Sequence, residues 1–181
     1  MEFIDVTLRG SGQVIFMDNP LTGLLNFVAM FVGAARGGTS FEVAIGSVIG
    51  TMVSTAMAYL LKANRGNLKA GIYGFNGMLV GACLPTFLAA NPLMWLFLVV
   101  GSAVSTIVIM AVANFLAPYK MPAFTFPFVL TCWLIVLYAK KITGLPPSAG
   151  GPLPEGGFNF ITAGLNSVSQ VWFVADWVAG I

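Results

Sequence analysis

The sequence predicts an all-α membrane protein, and three observations carry that prediction. Of its 181 residues, 58% are hydrophobic and only 8% are charged, whereas a soluble domain usually devotes about a quarter of its residues to charge. The apolar residues gather in stretches at 21–35, 41–61, 70–90, 93–117 and 123–139, each near the roughly 20 residues that a helix needs to cross a bilayer. The breaks between them carry turn-forming or charged residues: Arg36-Gly37-Gly38-Thr39-Ser40, the basic loop at 62–69, Asn91-Pro92, and Pro118-Tyr119-Lys120-Met121-Pro122. Five membrane helices are therefore expected, with the lipid bilayer as their solvent.

Charge and reactive residues narrow the function. The net charge is +2 and the basic residues are scattered, so no nucleic-acid partner is expected. If all five stretches cross, the N-terminus shares a side with Lys62, Arg65, Lys69 and Lys120, opposite Arg36, Lys140 and Lys141. That distribution favours a cytoplasmic N-terminus. The opening Met1-Glu2-Phe3-Ile4-Asp5 lacks the basic region of a cleavable signal, so the apolar segments are expected to be mature structure. Localisation is expected to be multi-pass, in the plasma membrane or a bacterial inner membrane. Histidine is absent, which removes the usual general base, metal ligand and proton shuttle. Cys83 and Cys132 lie inside apolar runs without a CxxC pattern and read as small packing hydrophobes. No enzyme activity, cofactor, metal or disulfide is expected.

The segment Gly10-Ser11-Gly12-Gln13-Val14-Ile15-Phe16-Met17-Asp18-Asn19-Pro20 precedes the first span. It reads either as a half-inserted, re-entrant helix end lining a cavity or as an interfacial helix with Gln13 among the headgroups. In Gly71-Ile72-Tyr73-Gly74-Phe75-Asn76-Gly77-Met78-Leu79-Val80-Gly81, four glycines recur at helical spacing, giving a packing groove or a pore wall. Phe75 and Leu79 are four apart and share a helix face. Asn76 is an amide in hydrocarbon and needs a partner.

In Met121-Pro122-Ala123-Phe124-Thr125-Phe126-Pro127-Phe128, two prolines bracket Thr125. A proline inside a helix frees the carbonyl four residues back, so oxygens near Ala123 and the Thr125 hydroxyl are candidates to face an interior path. The competing reading is a kinked, packed helix with Thr125 bonded to its own backbone.

Residues 142–164 are rich in Pro and Gly and read as a linker after a first unit at 1–141. A second unit is expected to start at 165–181, because Gln170-Val171-Trp172-Phe173 lies in register with Gln13-Val14-Ile15-Phe16. An odd number of spans between two copies inverts the second, as in an inverted-topology repeat. Ala175, Asp176 and Trp177 stand where Asp18, Asn19 and Pro20 stand in the first copy.

Taken together and in this order, Gly12 to Phe16 with Asp18-Asn19-Pro20-Leu21-Thr22-Gly23, Gly71 to Asn76, and Pro122 to Phe128 resemble the successive motifs of channel-type urea transporters. The resemblance implies one half of an inverted-repeat fold, each half with five transmembrane helices and a re-entrant helix, assembled as a homo-trimer with a pore per protomer. It implies passive transport of urea. Gln13 would lie at an end of a selectivity filter, Phe16, Phe75 and Leu79 would form flat apolar walls, and Thr125 would stand at the narrow centre. Gln170 and Phe173 would be the second-repeat counterparts.

Such a slot suits a flat, neutral solute with N–H donors, since hydrated ions would lose water that it cannot replace. The remainder of a second repeat is not encoded in these residues, so the expectation is a fragment, or a half that needs the missing repeat or a second copy to complete a pore. Ammonia channels, with their pore histidines, and water or glycerol channels, with paired Asn-Pro-Ala motifs, fit this chain poorly. The remaining rival is a non-conducting membrane subunit or truncation product with a role in assembly only.

Overall fold

A computed structural model of the chain describes residues 2–148 and 160–180, and residues 149–159 of the expected linker lie outside the described residues. Among the described residues the secondary structure is helical, apart from one isolated bridge between Leu88 and Pro147.

Helix α1 (Glu2–Gly12) runs into a 3-10 turn at Gln13–Ile15, and α2 (Pro20–Ala35) follows at 73° to it. Asn19 starts α2: its Oδ1 accepts from Leu21 N at 2.8 Å and Thr22 N at 3.4 Å, with Pro20 in the first turn, where a missing N–H costs nothing. The two helices fold back closely because Gly23 lies under the Leu8 carbonyl, where a Cβ would overlap backbone. Buried polar groups tie the same crossing, with Ser11 Oγ donating to Gly23 O at 3.1 Å and Asn26 Nδ2 to Ser11 O at 2.9 Å. Residues 10–20 thus form the stitched bend of a broken helix pair.

Helix α3 (Phe41–Leu60) and the short α4 (Arg65–Lys69) lead to α5 (Gly74–Phe87). All residues of α5 from Gly74 to Pro85 are buried; a helix apolar on every side belongs in the middle of a bundle. Its tightest neighbour is α3. Gly46 and Gly50 face Gly77 and Gly81 so closely that a Cβ on any of them would overlap the opposite backbone or side chain, a backbone-to-backbone seam that suits a solvent in which burying apolar surface gives no advantage. Gly71, expected from its spacing to share that helix, lies outside it. It has φ +78° in the turn before α5, a left-handed conformation open to glycine, with its α-carbon against Arg9 and Gly10.

Helix α6 (Pro92–Leu116) packs on α3 and α5, and α7 (Phe126–Tyr138), continued by a π turn at Ala139–Thr143, packs on α6 and α5. A buried hydroxyl ladder joins α3 to α6: Ser54 Oγ donates to Ser102 O at 2.7 Å, and Thr106 Oγ1 donates to Ser54 O at 3.2 Å. Pro127 does not kink the interior of a helix, contrary to the sequence-based expectation. It sits in the first turn of α7, where no N–H is needed, and the Ala123 carbonyl accepts from Phe126 N at 3.3 Å. Helix α8 (Phe160–Ser169) then ends in a second 3-10 turn at Gln170–Trp172.

Helices α3, α6 with its 3-10 extension to Tyr119, and α7 with its π turn are long and apolar enough to cross a membrane, and the bent α1–α2 pair makes a fourth candidate. The 14 residues of α5 rise only about 21 Å, against a hydrocarbon core of about 30 Å. Large apolar side chains such as Leu21, Leu25, Trp133, Leu134 and Leu137 are exposed on the outer faces. With the apolar helices, they make the chain a multi-pass membrane protein.

Candidate functional site: an uncharged cavity beside α5

The 3-10 turn after α1 carries two of the predicted side chains, Gln13 at its start and Phe16 at its close. Gln13 Nε2 donates to Ala70 O at 2.8 Å, so the amide is held against the loop that precedes α5. Phe16 closes the turn in a left-handed conformation, φ 60°, with its N–H donating to Gln13 O at 3.0 Å. A bulky residue there is strained. The turn is nonetheless closed a second time, by Met17 N donating to Gly12 O at 3.1 Å.

The ring of Phe16 is exposed and meets Phe124 edge to face, centroids 6.1 Å apart at 89°, a favoured aromatic geometry. Phe124 is itself left-handed, φ 46°. What holds it is Asn76 on α5, fully buried, whose Nδ2 donates to Phe124 O at 3.4 Å while its Oδ1 accepts from Phe128 N at 3.0 Å. Asn76 thereby finds the partners its setting demanded, and it caps the freed N–H at the start of α7.

These elements enclose a cavity of about 460 Å³. Gln13, Phe16 and Phe75 all line it, with Phe124, Pro122 and Tyr73 and with the amides Asn64, Asn67 and Asn114. No charged side chain lines it among the described residues. Aromatic faces and neutral amides form a surface that can trade hydrogen bonds with a small neutral polar solute but offers nothing to replace an ion's hydration.

Two predicted residues are not part of that lining. Leu79, one turn beyond Phe75 on the same face of α5, is buried in the core with Phe75 and Ile109. Thr125 follows Phe124 and is exposed; its carbonyl accepts from Val129 N at 3.1 Å as α7 begins, and its hydroxyl makes no hydrogen bond among the described residues. The lining amides Asn64, Asn67 and Asn114 were missed in the sequence. Asn114 carried the stronger signal, an amide inside an otherwise apolar helix.

The predicted counterparts adopt the same local geometry. Gln170–Trp172 is a 3-10 turn, Phe173 has φ 62°, Phe173 N donates to Gln170 O at 3.0 Å, and Val174 N donates to Ser169 O at 3.3 Å. Three residues on, Asp176 Oδ1 accepts from Val178 N at 2.7 Å, matching the cap Asn19 makes on Leu21 N. The divergence at 175–177 therefore keeps the capping oxygen. Phe173 stacks edge to face on Phe87, centroids 6.2 Å apart. Phe87 ends α5 and Phe75 lies in its first turn, so the two Gln-x-x-Phe turns sit at opposite ends of one helix.

Among the described residues no cluster of His, Cys, Asp or Glu is placed to hold a metal, and Cys83 and Cys132 are free and buried.

The urea transporter family profile matches residues 4–181. Urea transporter 1 of Ovis aries is 34% identical over 131 residues, which is 71% of this chain and 33% of that protein. Urea transporter 1 of Capra hircus gives the same values, and that of Mus musculus is 33% identical over the same shares. The chain spans about a third of the length of these relatives.

Proposed function

The chain belongs to the urea transporter family, a family of transporters and not enzymes, and from that premise we propose that it supplies one half of a passive, channel-like path for urea. The observation that carries this reading is the meeting of Gln13, Phe16 and Phe75 on one uncharged cavity. Urea is flat and neutral, with N–H donors on both sides of one carbonyl. In the proposed mechanism the Phe16, Phe75 and Phe124 rings form the flat walls of a slot. Gln13 stands at its mouth and backbone carbonyls accept the N–H bonds deeper in. The Thr125 hydroxyl, exposed outside this cavity, is proposed to join the path only where a second repeat completes it. Each step exchanges one hydrogen bond for another, so urea is held weakly enough to leave. Leu79, buried in the core one turn beyond Phe75, is proposed to extend the apolar wall only in the completed path.

The path is completed by a second repeat that opens at residues 165–181, after a first repeat at 1–141 and a linker at 142–164. Support comes from the shared turn geometry of Gln13–Phe16 and Gln170–Phe173 and from their positions at opposite ends of α5, the relation expected of inverted copies. The complete protein is proposed to carry five spans and a re-entrant segment per half, to assemble as a trimer, and to reside in a plasma or bacterial inner membrane.

Stopped-flow light scattering on liposomes tests this directly. The chain alone should reswell in urea near the empty-vesicle rate, and a protein carrying a full second repeat should reswell rapidly. Rapid reswelling with this chain alone would sink the half-path reading. No acceleration by the two-repeat protein would sink the urea path itself.

A further inference from the structure

The basic loop at 62–69, between α3 and α5, brings its cations around one cavity. Lys62 ends α3 with φ 52°, and Arg65 and Lys69 are four apart, so they project from one face of α4. Asn64 fixes that short helix by accepting from Gly66 N at 3.0 Å and Asn67 N at 3.2 Å. Lys62, Arg65 and Lys69 border a second cavity, about 490 Å³, shared with Leu68, Tyr59 and Glu2. Among the described residues none of the three cations makes a salt bridge. The Tyr59 hydroxyl lies behind the wall of the same cavity, covered from solvent and without a hydrogen-bond partner, with Glu2 and Asp5 close enough to act on it. An unpaired phenol beside three unpaired cations is a donor set awaiting an anion.

We propose that this cavity holds the phosphate of an anionic phospholipid headgroup. It lies where the 20-residue span α3 ends, which is headgroup depth. Lys62, Arg65 and Lys69 supply charge, the Tyr59 hydroxyl supplies a directional donor, and Leu68 meets the glycerol end. Glu2 offsets one of the three positive charges, and Asp5, the other carboxylate acting on Tyr59, is paired with Arg9 at 2.8 Å, so the site favours a singly charged phosphodiester over a more highly charged anion. Basic pockets at the ends of membrane helices select anionic lipids by this means, each nearby cation worth roughly fivefold in affinity.

Native mass spectrometry of the purified chain, from micelles doped with phosphatidylglycerol or phosphatidylcholine, tests the site without reference to urea flux. Retention of one phosphatidylglycerol, on the order of tenfold over phosphatidylcholine, is expected. It should fall to the phosphatidylcholine level in Arg65→Gln/Lys69→Gln and fall partly in Tyr59→Phe, with the helical circular dichroism unchanged. Lys140→Gln/Lys141→Gln removes equal charge at the other end of the bundle and should leave retention intact. Equal retention of the two lipids, or equal losses in the two double variants, overturns the proposal. Displacement of phosphatidylglycerol by millimolar inorganic phosphate also overturns it, since the site would then belong to the free anion. Should Arg65→Gln/Lys69→Gln fail to fold, Tyr59→Phe and Lys62→Gln carry the same comparison singly.

Discussion

Asn76 and Phe128 are joined by a hydrogen bond of 3.0 Å from the Phe128 amide to the Asn76 side-chain oxygen, the one bond by which the fully buried amide of α5 starts α7. The other half of that amide reaches the carbonyl of Phe124, so a single side chain sets where one helix begins and which way an aromatic ring of the cavity faces.

Replacing Asn76 with Leu keeps the branched heavy-atom shape, adds some bulk, and strands both backbone groups. A buried group left unpaired costs about 1–3 kcal/mol. Thermal unfolding in detergent should show the loss, and Asn76→Gln should not restore it, because the longer amide cannot keep both bonds in so tight a place. An unchanged transition would mean that water replaces the side chain.

The α3–α5 seam makes a second prediction. Gly77→Ala places a methyl on Ser54 Oγ and the Gly50 carbonyl, and overpacking of this kind costs typically about 1–3 kcal/mol. Gly164→Ala in α8 meets nothing within 4 Å and should stabilise its helix by up to about 1 kcal/mol. Paired melting curves would show opposite shifts.

Asp176 makes two contacts that can be separated. It pairs with Arg36 at 2.6 Å and caps Val178 N at 2.7 Å. Asp176→Asn keeps the cap, as Asn19 does in the first copy, and loses the charge. Asp176→Ala loses both. Hydrogen exchange at residues 177–180 should speed up more in the Ala variant, by roughly the 0.5–1.5 kcal/mol of one hydrogen bond. Equal protection in the two variants would assign the order of this segment to the ion pair alone.

In a two-repeat protein, Phe16→Ala should widen the proposed slot and raise methylurea flux relative to urea, while Thr125→Val, which keeps shape and removes a hydroxyl, should lower urea flux without loss of assembly. Size-exclusion profiles and vesicle reswelling read both. A Phe16→Ala protein with unaltered selectivity would return that ring to packing against Phe124.

The composition and the spacing of apolar runs determined that this chain is helical and lives in a membrane, because the cost of unpaired backbone in hydrocarbon leaves few alternatives. The ends of α3 and α6, at Leu60 and Leu116, fall within a residue of where the apolar runs stop. Gln13, Phe16 and Phe75 could be singled out because each lies in a short motif of adjacent residues, and the resemblance of those motifs to a family implied their roles. Tertiary structure decided the rest. Gly71 left the helical pattern because its backbone had to clear α1. Pro127 became a helix start and not a kink because Asn76, some fifty positions earlier in the chain, took up the Phe128 amide. The amides of Asn64, Asn67 and Asn114 reached the cavity only through the packing of α6 on α5 and of α4 on α1 and α3. Contacts between residues distant in sequence depend on which faces meet, and periodicity along one segment carries no record of its partner.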